Sequence, residues 1–215
     1  RGYNMSEWKD LSLGEFQEKL SSKEPTPGGG SASAIALGQA AALTNMVVEL
    51  TLSRERWETG WTAAEKSKSV ATNILGDCAF ELAKNDSDAF DSVMAAYRLP
   101  KESKEEIIFR KKKIVAATWE ATLVPLETAK IALELLSSLP DLAKHGNSNA
   151  VTDVGVASLL ASAACKGALF NVEINLGSLP NDDIRVLELK NEVENIRISA
   201  SDYSRECIKS VRARI

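Results

Sequence analysis

The chain has 215 residues, 44% hydrophobic and 26% charged, with a formal net charge of −4. That length fits one domain with a substantial core, and the balance is that of a globular protein rather than a low-complexity chain. Acids and bases are interleaved, and the one basic run, Arg110-Lys111-Lys112-Lys113, sits beside a Glu-rich turn as a solvated helix face, which argues against a nucleic-acid surface.

In chain order the sequence predicts helices almost throughout and no convincing strand. Arg1 to Asn4, ahead of Met5, reads as a leftover segment, leaving a domain over residues 5–215. Ser12-Leu13-Gly14-Glu15 has the form of a capping box and opens a short helix to Leu20. Then comes Glu24-Pro25-Thr26-Pro27-Gly28-Gly29-Gly30-Ser31. Its prolines stiffen the approach, its glycines free the backbone, and Ser31 is placed to cap the next helix. Such an end offers bare N–H groups to an anion or a polar heterocycle edge. The plainer alternative is a flexible linker. A nucleotide P-loop is excluded because Ser31 is followed by Ala32, with no Gly-Lys-Ser/Thr.

The second helix runs from Ala32 to Leu52, and a third from about Thr59 to Tyr97, stopping before Leu99-Pro100. A fourth begins near Lys101 with Glu102, Glu105 and Glu106 in its first turns and is kinked by Pro125. Leu139-Pro140 and the turn-like His145-Gly146-Asn147-Ser148-Asn149 separate it from a fifth, about Val151 to Leu176. Pro180-Asn181-Asp182-Asp183 begins the last. The expected fold is therefore all-α, a single-domain bundle of about six helices. Ala32–Val48 and Asp153–Leu176 are nearly apolar on every face, so they are expected as two buried small-residue central helices wrapped by the amphipathic ones. One face spared for a second subunit makes a homodimer the default. Gln39, Thr44 and Asn45 make Ala32–Val48 a poor membrane span, and no signal-peptide pattern is visible.

Cys78, Cys165 and Cys207 are far apart without metal-ligand spacing, which suits reduced thiols in a cytoplasmic protein. His145 is the only histidine and lies in a Gly/Asn turn, so His-based metal sites and triads are not expected. The chemistry is then sought in polar residues that interrupt apolar helices, since each costs free energy to bury unless paired. Asp153 opens the fifth helix, Asn171 and Asn175 share one of its faces, and Asp86 and Asp88 flank Ser87 in the third. Singly, Asp153 could cap its helix and the asparagines could tie helices together. With the glycine-rich helix start, they suggest a polar pocket.

These residues resemble the formiminotransferase-cyclodeaminase C-terminal domain family, which includes free-standing methenyltetrahydrofolate cyclohydrolases. The resemblance covers nearly the whole chain from Leu11. It is carried by Pro27-Gly28-Gly29-Gly30-Ser31, Asp86 with Ala89-Phe90, Leu99-Pro100-Lys101, Arg110 and Val124-Pro125-Leu126. Gly146-Asn147, Asp153, Gly167, Asn171-Val172 and Ile174-Asn175-Leu176 continue it. The resemblance implies an all-α, typically dimeric enzyme of folate one-carbon metabolism that uses neither metal nor cofactor. It implies hydrolysis of 5,10-methenyltetrahydrofolate to 10-formyltetrahydrofolate or, alternatively, cyclisation of 5-formiminotetrahydrofolate with loss of ammonia; a non-catalytic scaffold is the reading from another class. On it, Asp153 or Asp86 handles the proton, and Asn147, Asn171 and Asn175 orient the substrate. Gly28, Gly29, Gly30 and Ser31 hold a polar edge, and Lys101 and Arg110 attract the glutamate tail. The chain departs from the family at Ser53-Arg54-Glu55-Arg56-Trp57, where a glycine, a lysine run and a tyrosine are usual.

Overall fold

The computed structural model describes residues 8–215, so Arg1–Asn4 and the expected start at Met5 lie outside the described residues. Among the described residues there are seven α-helices: α1 (Leu13–Leu20), α2 (Gly29–Leu52), α3 (Trp61–Leu75), α4 (Cys78–Tyr97), α5 (Lys104–His145), α6 (Val151–Leu176) and α7 (Ile184–Arg212). Short 3-10 turns at Glu55–Gly60 and Ser148–Ala150 lead into α3 and α6. The seventh helix arises because the expected Thr59–Tyr97 helix is broken. Gly76 leaves helical geometry at ψ −117°, and α4 restarts after Asp77. Capping boxes open both α1 (Ser12 with Glu15) and α5 (Ser103 with Glu106).

α5 runs on through Pro140, where the sequence suggested an end, to make a helix of 42 residues. A proline forfeits one amide donor, and tertiary packing holds the rest: Leu135, Leu136, Leu139, Leu142 and Ala143 are all buried. The carbonyl of Ala121, which faces the missing N–H of Pro125, receives instead a 2.7 Å hydrogen bond from Asn175 Nδ2 of α6.

α6 is central, packing most extensively against α2 and α5. It runs antiparallel to α2, with Gly29 against Asn171 and Ser33 against Gly167. The small residues do what their spacing suggests. Ala34, Ala41, Ala157, Ala161, Ala164 and Ala168 are fully buried, and a Cβ on Gly38 would stand only 3.1 Å from that of Ala79 in α4. Both helices are long and apolar enough to cross a membrane by composition, and both are core elements of this bundle. Neither is enclosed on every side, however. Val156, Leu159, Phe170 and Ile174 of α6, with Met46 and Leu50 of α2, face outward, Phe170 and Ile174 at 70% and 71% exposure. An apolar outer face, not enclosure, explains the lack of a polar side.

Candidate active site

Gly28, with extended backbone, precedes the first turn of α2 and has no side chain with which to cap it. The first helical bond closes from the Ala32 amide to the Gly28 carbonyl, so the Gly29, Gly30 and Ser31 amides have no partner within the helix. Ser31 therefore does not cap α2 as expected. It lies one turn inside, and its hydroxyl points across to α4, 3.0 Å from Asp86 Oδ2, 3.1 Å from Ser87 Oγ and 3.2 Å from the Ala83 carbonyl. One hydroxyl has one proton. When Ser31 donates to Asp86, Ser87 donates to Ser31, and a short relay ends on the carboxylate.

Gly30 is the position where only hydrogen will do, because a Cβ would overlap the Asp86 carboxylate. Burial pushes the Asp86 carboxyl above the ordinary aspartate range, and the hydroxyl and amide of Ser31 draw it part of the way back. A half-buried carboxylate of raised proton affinity, held at the open end of a helix, is suited to accept a proton.

Across the helix end lies α6. Asn171 is beside Gly29, its Nδ2 engaged with the Gly167 carbonyl at 3.0 Å and its Oδ1 without a donor among the described residues. A turn further on, Asn175 spends its Nδ2 on Ala121. Arg110 donates both Nε and Nη2 to the Tyr97 carbonyl and lies over the Tyr97 ring, closing the α4–α5 hairpin. Tyr97 is roughly 17 Å from Asp86 along α4. Lys101 is exposed in the connecting turn.

Two of the expected residues fall elsewhere. Asn147 clamps the far end of α2: its amide donates to Thr51 Oγ1 at 3.0 Å and its Nδ2 to the Leu50 carbonyl at 3.1 Å. Its Oδ1 accepts from the Asn149 amide, so both ends of the side chain are engaged. Asp153, half-buried in the first turn of α6, has no hydrogen-bond or ion-pair partner among the described residues. It stands roughly 27 Å from Asn171 along α6. Within one chain, Asn147 and Asp153 cannot reach a reacting atom held beside Asp86. Sequence spacing placed Asp153 on the right helix and Asn147 in the turn before it, but could not show that α2 and α6 are antiparallel. Ser87 went unread for the opposite reason, since nothing in its local sequence marks a buried serine aimed at Ser31.

Among the described residues no three His, Cys, Asp or Glu side chains gather to hold a metal ion. His145 is exposed at the end of α5.

The family model described as formiminotransferase-cyclodeaminase matches residues 12–195. A methenyltetrahydrofolate cyclohydrolase of Methylorubrum extorquens is 34% identical over 204 residues, covering 93% of this chain and 95% of that one. Rat formimidoyltransferase-cyclodeaminase is 27% identical, and the match takes in 95% of this chain but 38% of the rat protein. The crystal structure of a formiminotetrahydrofolate cyclodeaminase from Thermotoga maritima superposes with a TM-score of 0.82 at 27% identity, covering 96% of this chain and 98% of that one.

Proposed function

The chain belongs to the formiminotransferase-cyclodeaminase family, and on that premise we propose that it is an enzyme of folate one-carbon metabolism that hydrolyses 5,10-methenyltetrahydrofolate to 10-formyltetrahydrofolate. The observation that carries the reading is the Asp86 carboxylate, buried enough to raise its proton affinity and held by Ser31 at the open end of α2. The near end-to-end match with a cyclohydrolase favours this reaction over its relatives.

The methenyl bridge is already an activated cation, so orientation and one base suffice, and neither metal nor organic cofactor is required. Water adds to the bridging carbon as Asp86 accepts a proton. The resulting carbinol then collapses to the formyl group, the bond from carbon to N5 breaks, N5 takes a proton, and one proton is released to solvent overall. Asp86 in its charged form also stabilises the cationic substrate. The Gly28–Ser31 end and Asn171 hold the polar edge of the pterin, with Asn175 shaping the floor. Lys101 and Arg110, a substrate length away on the α4–α5 hairpin, attract the glutamate tail. The enzyme works in the cytoplasm as a homodimer, a setting supported by the free, buried thiols of Cys165 and Cys207.

The test is the near-ultraviolet decay of 5,10-methenyltetrahydrofolate in a buffer where spontaneous hydrolysis is slow. Enzyme-dependent decay to 10-formyltetrahydrofolate is expected. The Thermotoga neighbour favours a second reading, closure of 5-formiminotetrahydrofolate. Ammonia release from that compound, without acceleration of methenyl hydrolysis, would replace the first reading with the second. No turnover of either, and no thermal shift with folates, would leave a helical scaffold.

A further inference from the structure

Two buried serines stand behind the Asp86 carboxylate. Ser31 is fully buried and Ser87 is 3% exposed, so solvent offers neither hydroxyl a further partner. The Ser31 hydroxyl has three acceptors almost equally near: Asp86 Oδ2 at 3.0 Å, Ser87 Oγ at 3.1 Å and the Ala83 carbonyl at 3.2 Å. It has one proton for them. The Ser87 hydroxyl has two, Ser31 Oγ at 3.1 Å and the Ala83 carbonyl at a long 3.4 Å. The two oxygens of Asp86 differ as well. Oδ2 is tied to Ser31, whereas Oδ1 lies against Gly30, where no side chain intervenes.

We infer that Ser87 is a positioning residue for the hydrolysis: its hydroxyl donates to Ser31, commits the Ser31 proton to Asp86 Oδ2 rather than to the Ala83 carbonyl, and so leaves Oδ1, over Gly30, to take the proton from water. The inference rests on the reaction being centred at Asp86. Two features favour this order of donation. The bond from Ser87 to Ser31 is shorter than its alternative, and it closes the route by which Ser31 would donate to Ser87. A hydroxyl that accepts one hydrogen bond also donates a stronger one, most of all to an ion. The carboxylate is then fastened at one oxygen and free at the other. In the addition step a water O–H bond breaks as the water oxygen bonds to the bridging carbon. The proton goes to Oδ1 and the π pair returns to nitrogen, so the cation and the carboxylate are neutralised together. Ser87 does not bond the carboxylate itself and acts through Ser31. Of the elements packed on α4, α2 has no charged side chain before Glu49, and among the described residues none on α3 or α5 shifts the Asp86 carboxyl. Lys84 and Asp88, on α4 itself, pair with each other at 2.6 Å.

A pH series of kcat/KM for methenyl hydrolysis tests it, because turnover through Asp86 falls as the carboxylate is protonated. Ser31 favours the charged form, so weakening its bond moves the acid limb to higher pH. Ser87→Ala should lower kcat/KM about threefold on that limb, with less change on the plateau above it. Ser31→Ala should cost about tenfold or more there. The two together separate positioning from packing. In a Ser31→Ala background, adding Ser87→Ala should change nothing further, whereas a serine that only fills space would cost as much in either background. An unmoved limb in Ser87→Ala, or equal losses in the two backgrounds, overturns the inference. The free protein supplies a readout without turnover. The carbon NMR titration of the Asp86 carboxyl, assigned by its loss in Asp86→Asn, should move to higher pH in Ser87→Ala and stay in place between Ser31→Ala and the double variant. That pattern in a protein inert towards both folates would fail the reaction reading and keep Ser87 coupled to Asp86 through Ser31. A titration that Ser87→Ala leaves unmoved overturns the coupling itself.

Discussion

Asp86 is held between two demands, and they leave separate signatures. As a buried acid whose proton affinity is raised on folding, it favours the native state at low pH, where it is protonated in both states. That support is lost as pH rises through its folded value, because the ion is then the buried form. Asp86→Asn should therefore melt higher than wild type at pH 7 to 8, and the difference should fade towards pH 3 to 4 in a pH series of melting curves. The same variant should lose about 10²- to 10⁴-fold of the hydrolysis rate, the usual worth of a positioned base. Gly30→Ala acts on the same group from outside: its methyl must displace the carboxylate, and turnover should fall as far while the circular dichroism of the helices is unchanged. At this scale much was legible. Asp86 shares α4 with Asp88 and Asp91, and it was the family resemblance, with Ala89-Phe90, that singled it out from them. What the sequence could not supply was company: Ser87 is as anonymous as any buried serine, and Asn147 carries a family motif at a place set by Thr51 and Leu50.

Helix α5 shows how far an element can override its own residues. Pro140 reads as a stop, and the helix continues because the side chains on both sides of it are buried. Gly76-Asp77 reads as an ordinary stretch of helix, and there the chain breaks. Both misreadings concern tertiary packing, which local propensity cannot weigh. Pro125 is a subtler case. Its missing N–H leaves the Ala121 carbonyl without a partner in α5, and Asn175 from α6 satisfies it. Asn175→Ala should cost about 1–3 kcal/mol in urea unfolding by orphaning that acceptor. Pro125→Ala restores an amide to the α5 ladder, so the Asn175→Ala penalty should shrink in that background. Equal penalties in the two backgrounds would show that Asn175 matters for some other contact. The proline and the asparagine act as a pair: the carbonyl that the proline frees is where α6 is fastened to α5.

For the whole molecule, the bundle's class was plain from helical periodicity, and its handling of cysteines follows from burial. The thiols of Cys165 and Cys207 are pushed up to about 11 by desolvation, whereas Cys78 is half-exposed. Iodoacetamide at pH 8 should modify Cys78 alone in the native protein, and the other two only as the chain unfolds; early modification of Cys165 would mean that the core opens locally. The central pair has one more consequence, for the order in which the protein can be made. Gly29 and Asn171 touch but are roughly 140 residues apart in the chain, so the most extensive packing in the fold is also among its least local. At ordinary rates of synthesis, α2 leaves the ribosome roughly 7 to 28 s before its partner exists. Through that interval α2 can pack on α3, α4 and α5, but the flank that meets α6 stays open. A chain cut after Asn149 should therefore aggregate on expression, and the full-length protein should lean on chaperones at birth more than its small size and helical content would suggest.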